Sequence, residues 1–154
     1  VPYEGEVPGT PSESAGTIPV QFGDEVVYYD IRENRTHTIR GEGPVASKER
    51  AFLAQEPAYG NLAELGLGVL ADYGLEPTGE ILLDEKLGLH IAFGRSDHIG
   101  GVIGPEDFSD PANVMHVDYV YALEGEMWPI DVNLIYEDGS KFEIIRDNKY
   151  AIFK

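Results

Sequence analysis

Short β-rich segments separated by turn residues constrain the fold of this 154-residue chain more than any other feature. GTIPVQFG (16–23) and EVVYYDIRE (25–33) are rich in β-branched and aromatic residues, partly alternate between apolar and polar positions, and meet at a Gly-Asp turn signal. RTHTIRGEG (35–43) follows after a turn that we expect at Asn34-Arg35. These three segments predict a β-meander, preceded by a loop over the Pro-, Gly- and Ser-rich residues 1–17.

Two further segments predict short helices. SKERAFLAQEP (47–57) contains good helix formers, offers Ser47 as a cap candidate, and is expected to end before Pro57. TGEILLDEKLG (78–88) predicts a second helix that begins at Thr78 or Gly79 and ends at Gly88. Between them, NLAELGLGVLADYG (61–74) fits either a strand or a helix, because its apolar run has no decisive period.

The remaining segments complete a β-rich domain. Strands are expected for LHIAFG (89–94) and VMHVDYVYAL (114–123), a hairpin for 129–147 around a turn at 137–140, and a last strand for 149–154. We therefore predict an α+β fold with a mixed or antiparallel sheet, arranged as a meander and partly barrel-like, with two short helices.

Charge and composition narrow the function. The net charge is −17, from 28 acidic against 11 basic residues, so the surface repels phosphate backbones and we expect no nucleic-acid partner. The absence of cysteine excludes disulfides, thiolate metal ligands and a cysteine nucleophile. No apolar run has the length of a membrane span and no signal pattern opens the sequence, so we expect a cytoplasmic protein without a membrane partner.

Histidines and carboxylates on predicted strands indicate a metal site. In HVD (116–118), residues i and i+2 of a strand point to the same face, so His116 and Asp118 can reach one point. This pair suits Zn²⁺, Co²⁺, Mn²⁺ or Fe²⁺, and His90 at the start of another strand can complete a set of three ligands. Glu64 is a lone acid in the apolar stretch LAELGLG, where a buried carboxylate needs a cation or a hydrogen-bond donor.

Each of these residues alone also fits a simpler interpretation. An H-x-D pattern on a strand is commonly an ordinary polar face, and Glu64 also fits an exposed bend. His98 fits a loop residue that makes hydrogen bonds, and His37 lies in an alternating, threonine-rich strand where a solvent-facing position is expected. The metal site therefore depends on the residues acting together.

Four segments in order resemble one family. GEV (5–7), AELGLG (63–68), LLDEKLGLHIAFG (82–94) and HVD (116–118) together resemble the C-terminal, metal-binding region of the thermophilic aminopeptidases, the M29 metallopeptidase family. The resemblance covers most of the chain. It implies a single domain over residues 1–154 that corresponds to this region, without the N-terminal domain of the family, and with a homodimer as a possible assembly.

The resemblance also implies a ligand set. It predicts six ligands for two divalent metal ions (zinc, cobalt, manganese or magnesium): Glu6, Glu64, Glu85, His90, His116 and Asp118. Glu64 would bridge both ions, and it or Asp84 would accept a proton from the attacking water. The family places a catalytic tyrosine seven residues after the histidine that corresponds to His90.

This chain departs from the family at that tyrosine position. The position is occupied by Asp97, which is followed by His98. An ionised aspartate cannot donate a hydrogen bond to a developing oxyanion, so His98 or Arg95 is the candidate for that role. The catalytic candidates are therefore Glu64, Arg95, Asp97 and His98.

Three functions remain open from the sequence. The first is a dinuclear metal-dependent hydrolase that cleaves the N-terminal peptide bond of a small peptide or acts on a related small molecule. The second is a ring-cleaving dioxygenase of the dihydroxypyridine type, in which His90, His116 and Asp118 hold a single Fe²⁺. The third is an isolated domain without catalysis.

Overall fold

The computed structural model describes residues 12–121, 127–129, 131–147 and 149–153. Within these ranges the chain forms three separate three-stranded antiparallel sheets, two short α-helices and several 3-10 turns. The predicted β-rich α+β fold is confirmed, and the described strands do not close into a barrel. None of the helices in these ranges is long and apolar enough to cross a membrane.

The first sheet is the predicted meander. Its strands β1 (Ala15–Phe22), β2 (Glu25–Arg32) and β3 (Arg35–Arg40) pair in sequence order. Strand β1 begins at Ala15, so the last three residues of the loop predicted over 1–17 belong to the strand. The turn between β2 and β3 consists of Glu33 and Asn34, one residue before the predicted position. Both have positive φ (49° and 62°), as the two-residue turn that matches the strand twist requires.

The first helix, α1 (Pro44–Gln55), begins earlier than predicted. Its cap is the carboxylate of Glu25 in β2, which accepts hydrogen bonds from two N–H groups of the first turn at 3.0 and 2.9 Å. A Cβ at Gly43 would lie 2.3 Å from that carboxylate carbon, so glycine is needed there. Ser47 lies inside the helix, because a tertiary contact rather than a local side chain satisfies the free N–H groups.

The central sheet carries most of the predicted ligands. It consists of β4 (Leu62–Leu67), β5 (Leu89–Gly94) and β6 (His116–Val120), in that order. One face packs against the first sheet, where the rings of Tyr29 and Phe93 stack with centroids 5.0 Å apart. The ambiguous segment 61–74 is therefore mainly a strand, followed by a short 3-10 turn.

The second helix, α2 (Ile81–Asp84), is shorter than predicted and continues as a 3-10 turn over Glu85–Leu87. Asp84 is buried and accepts hydrogen bonds from Thr78 N, Thr78 Oγ1 and Gly79 N at 2.8 to 2.9 Å. These bonds, led by that of the Thr78 N–H, lower the pKa of Asp84. Asp84 thus fixes the turn before the helix.

The third sheet confirms the predicted C-terminal hairpin. Strands β7 (Val132–Ile135) and β8 (Lys141–Arg146) pair across a turn, and β9 (Lys149–Tyr150) pairs with β8. The last strand is only two residues long and gives way to a turn, whereas the sequence predicted a strand over 149–154.

Two buried asparagines lie where the first sheet meets the central sheet. Asn34 Nδ2 donates to Leu62 O at 2.7 Å, and Leu62 N donates back to Asn34 O at 3.0 Å. Asn61 Nδ2 donates to Gly94 O at 2.9 Å. Because both side chains are almost completely buried, these bonds fix where β4 starts and where β5 ends.

A buried carboxylate anchors the loop that leads into β6. Glu56, at the end of α1, is 0% exposed and accepts hydrogen bonds from Ser109 N at 3.0 Å, Ser109 Oγ at 2.6 Å and Asn113 Nδ2 at 3.2 Å. Burial alone would raise the pKa of Glu56, but these hydrogen bonds outweigh it and hold the pKa below its ordinary value.

We expect Glu56→Gln to lower the free energy of unfolding by about 1–3 kcal/mol at pH 7. The NH₂ group of the glutamine side chain would face groups that are themselves hydrogen-bond donors, so at least one of the present hydrogen bonds would be lost. The folded-state pKa of Glu56 is depressed, so its contribution is complete above the ordinary value of 4.5 and is lost as pH falls below it. Urea unfolding should show that the difference in free energy of unfolding between wild type and Glu56→Gln is smaller below pH 4.5 than at pH 7. Glu42→Gln, at an exposed glutamate, is the matched control and should change little.

Candidate metal centre

Four predicted ligands converge on the face of the central sheet that points away from the first sheet. Glu64 and Asp118 lie in one cross-strand row, on either side of Ala92 of β5. His90 Nε2 lies 3.3 Å from Glu64 Oε1, and His116 Nε2 lies 3.3 Å from Glu64 Oε2. His116 Nε2 is also 3.5 Å from Asp118 Oδ1. Ligand atoms of Glu64, His90 and Asp118 all lie within 4.8 Å of one another.

The two imidazoles are oriented as metal ligands are. His90 Nδ1 lies 3.1 Å from Gly88 O, and His116 Nδ1 lies 2.7 Å from Arg95 O. A carbonyl oxygen only accepts, so each Nδ1 carries a proton. In the neutral ring, the lone pair of Nε2 then faces the Glu64 carboxylate. Two acceptors so placed repel each other unless a proton or a metal ion lies between them, and backbone carbonyls commonly orient ligand histidines in this way.

The carboxylates of the site are short of hydrogen-bond donors. The Asp118 side chain is 7% exposed and that of Glu64 is 16% exposed. Asp118 Oδ1 is buried and makes no hydrogen bond to any described residue. A buried charge without compensation is costly, so the donor set fits a divalent cation, which carboxylate and imidazole ligands bind well.

Electrostatics at His116 point in the same direction. Burial alone lowers the pKa of His116, but the neighbouring Asp118 carboxylate, the hydrogen bond to Arg95 O and the negative charge of Glu64 raise it above its ordinary value. The site therefore attracts positive charge, which a proton can supply in the absence of metal.

Gly66 makes room for the His90 ring. The two residues are opposite one another in β4 and β5, and a Cβ at Gly66 would lie 1.9 Å from His90 Nε2. Any side chain here would push the imidazole away from Glu64. Gly66 was not predicted as a site residue from the sequence, although a glycine inside a strand is a signal of close approach by another group.

Gly94 plays a similar part for His116. It has φ 103°, and a Cβ there would lie 2.3 Å from Met115 O. This conformation lets Arg95 N donate to Met115 O at 2.7 Å while Arg95 O receives the His116 Nδ1 proton. The end of β5 thus aligns the carbonyl that orients the second imidazole.

Among the described residues, the predicted ligand Glu85 is not brought into this group. Glu85 lies in the 3-10 turn after α2, and its Oε1 is 2.5 Å from Lys86 Nζ. Glu6 lies outside the described residues. The ligand roles of both residues stay predictions.

The predicted catalytic residues after β5 border the site beside His116. Asp97 accepts hydrogen bonds from Arg95 Nε and Nη2, and the Arg95 hydrogen bond lowers the pKa of Asp97. Both side chains are about one-third exposed. The His98 ring packs edge-on against His116, with centroids 4.9 Å apart. An ionised Asp97 cannot donate a hydrogen bond, so His98 and Arg95 are the nearby groups that can.

The fold is similar to that of wild-type AmpT from Thermus thermophilus, with a TM-score of 0.52 and 21% sequence identity. The similarity covers 89% of this chain and 35% of that one, so this chain spans about a third of the length of that structure. No family model matches the chain. No curated protein matches it either. At this identity the comparison shows similarity of fold alone.

We expect Gly66→Ala to weaken Zn²⁺ or Co²⁺ binding by at least tenfold, because the new Cβ displaces the His90 imidazole. Isothermal titration calorimetry on wild type, Gly66→Ala, His90→Ala and the double variant forms a double-mutant cycle. The Gly66→Ala effect should disappear once His90 is alanine. An equal loss in both backgrounds would show that Gly66 acts on the fold in general and not through His90.

Proposed function

We propose that this chain binds two divalent metal ions and contributes them to a hydrolase of the aminopeptidase type. The observation that carries the proposal is the Glu64 carboxylate, whose two oxygens face the Nε2 atoms of two different histidines at 3.3 Å. A carboxylate so placed is suited to bridging two ions, because each oxygen has its own imidazole partner.

The distribution of the other groups supports two ions over one. His90 lies on the Oε1 side of Glu64 and His116 on the Oε2 side, and Asp118 lies within reach of both imidazoles. Glu85 and Glu6 are the proposed further ligands, one for each ion. Two-metal sites in hydrolases hold their ions about 3.5–4 Å apart, a separation that a bridging carboxylate can span.

The residues around the ligands suit hydrolysis. When bound, the two ions would polarise a substrate carbonyl and lower the pKa of a shared water. The Glu64 carboxylate can accept the proton that this water loses. His98, packed against His116, is placed to donate a hydrogen bond to a developing oxyanion. Arg95, held by Asp97, adds a fixed positive charge at the same border.

The fold similarity suggests the substrate class. The structural neighbour is AmpT, an aminopeptidase, so we propose small peptides with a free N-terminus as substrates. Because this chain spans about a third of that structure, we propose that walls from outside the described residues complete the substrate pocket.

A mononuclear Fe²⁺ dioxygenase is the second candidate. His90, His116 and Asp118 supply the two imidazoles and one carboxylate that such enzymes use. The position of Glu64 favours the hydrolase, because its carboxylate fills the space between the imidazoles where a mononuclear site leaves room for oxygen and substrate. Metal stoichiometry separates the two candidates.

Elemental analysis of cobalt- or zinc-loaded protein should give about two ions per chain, and the loaded protein should hydrolyse leucine p-nitroanilide. His116→Ala should remove at least one ion and lower kcat/KM by at least a factor of about 100, because it removes a ligand and exposes Glu64 Oε2. His37→Ala is the matched control, since His37 is exposed on β3, and it should leave both quantities unchanged.

Other outcomes are equally informative. One iron per chain, with ring cleavage of a dihydroxypyridine, would replace the hydrolase by the dioxygenase. Two ions per chain without hydrolysis would leave the metal centre in place and refute the aminopeptidase activity of this chain. No bound metal in folded protein would refute both proposals.

A further inference from the structure

A pocket of about 270 Å³ lies between α1 and β6. Val117 and Tyr119 of β6 line it, and they alternate along the strand with His116 and Asp118. Because successive residues of a strand point to opposite faces, the pocket lies on the other side of β6 from the candidate metal centre. A cavity of about 150 Å³ holds one benzene molecule, so this pocket has room for one ring and a short arm.

Aromatic and apolar side chains form most of the pocket wall. The rings of Phe52 and Tyr59 meet at 64° with centroids 4.9 Å apart, and Tyr119, Met115 and Val117 line the wall with them. The faces of aromatic rings carry partial negative charge and attract cations that come within about 6 Å of the ring centre. Such a wall suits an apolar body and favours a cation over an anion.

The wall also contains a carboxylate with one oxygen to spare. Glu49 Oε2 accepts hydrogen bonds from Tyr29 Oη at 3.1 Å and from Tyr59 Oη at 2.7 Å. Glu49 Oε1 accepts none from the described residues, and it is not among their buried polar atoms that lack a partner, so it is accessible. Two phenols therefore hold the carboxylate in place and leave its second oxygen for a ligand.

The negative charge of Glu49 is not cancelled by the phenols around it. Tyr59 Oη lies 3.1 Å from Tyr119 Oη, and burial raises the pKa of both phenols, so they stay neutral at pH 7. Lys48, the other charged residue of the wall, is exposed, so water solvates and screens its ammonium. The charge nearest the aromatic wall is thus the carboxylate.

We propose that this pocket binds a small primary ammonium ion with an apolar body, of which benzylammonium is a simple member. The ammonium would donate to Glu49 Oε1, and the apolar body would pack against Phe52, Tyr119 and Met115. A hydrogen bond between ionised groups is stronger than one between neutral groups, and the aromatic rings add to the attraction. The inference uses no metal ligand and does not depend on the proposed function.

The test is a titration of metal-free protein, in the presence of a chelator, with benzylammonium and with benzyl alcohol, its neutral counterpart of similar shape. The chain has two methionines, Met115 in the pocket wall and Met127 outside it, and Met127→Leu assigns their methyl signals. Benzylammonium should shift the Met115 signal in a ¹H–¹³C spectrum in a saturable manner and leave the Met127 signal in place. Benzyl alcohol, which lacks the charge, should bind about tenfold more weakly.

Two variants test the wall. The amide oxygen of Glu49→Gln can still accept from Tyr29 and Tyr59, but the charge is gone, so benzylammonium should bind about tenfold more weakly while benzyl alcohol changes little. Phe52→Leu keeps an apolar side chain and should weaken benzylammonium about threefold. Glu137→Gln removes the same charge at an exposed position outside the pocket, so it is the matched control and should bind benzylammonium as wild type does.

The proposal is overturned if benzylammonium leaves the Met115 signal in place, or if benzyl alcohol binds wild type as tightly as benzylammonium does. It is also overturned if a folded Glu49→Gln binds benzylammonium with unchanged affinity, or if Glu137→Gln weakens binding as much as Glu49→Gln. Should Glu49→Gln not fold, the comparison of the two ligands on wild type decides. Because the titration uses chelator-treated protein, a negative result here leaves the metal centre untouched, and an absent metal centre leaves this result valid.

Discussion

The Glu64 carboxylate, faced by two imidazole lone pairs, is the constraint on which the rest of the site depends. Its oxygens lie 3.3 Å from His90 Nε2 and His116 Nε2, and both imidazoles have their Nδ1 protons committed to backbone carbonyls. This arrangement is repulsive without positive charge between the groups. It also requires correct register in three strands, because a slip of one residue would turn Glu64 towards the core.

The buried carboxylates of this chain fall into two groups that differ in how their oxygens are satisfied. Glu56 receives bonds from Ser109 and Asn113, and Asp84 from Thr78 and Gly79, so each fixes a loop. Asp118, by contrast, has a buried oxygen without a donor among the described residues. Donors that are present indicate a structural role for a buried acid, and missing donors indicate a cation.

Local pattern was sufficient to predict part of the site. His116 and Asp118 share a strand face by simple alternation, and Glu64 stood out because a carboxylate interrupts an apolar run. The pairing of Gly66 with His90 depends on register between strands that are distant in sequence, and nothing local encodes it. The predicted start of α1 was also wrong because it depends on a contact between residues distant in sequence: the cap of α1 is the Glu25 carboxylate from β2.

The two faces of β5 show how one short strand can serve two environments. Leu89 lies beside Ile145 and Tyr150 of the third sheet, and His90, the next residue, faces a cluster of carboxylates. Alternation keeps these groups on opposite sides of the backbone, so a change to one face need not disturb the other.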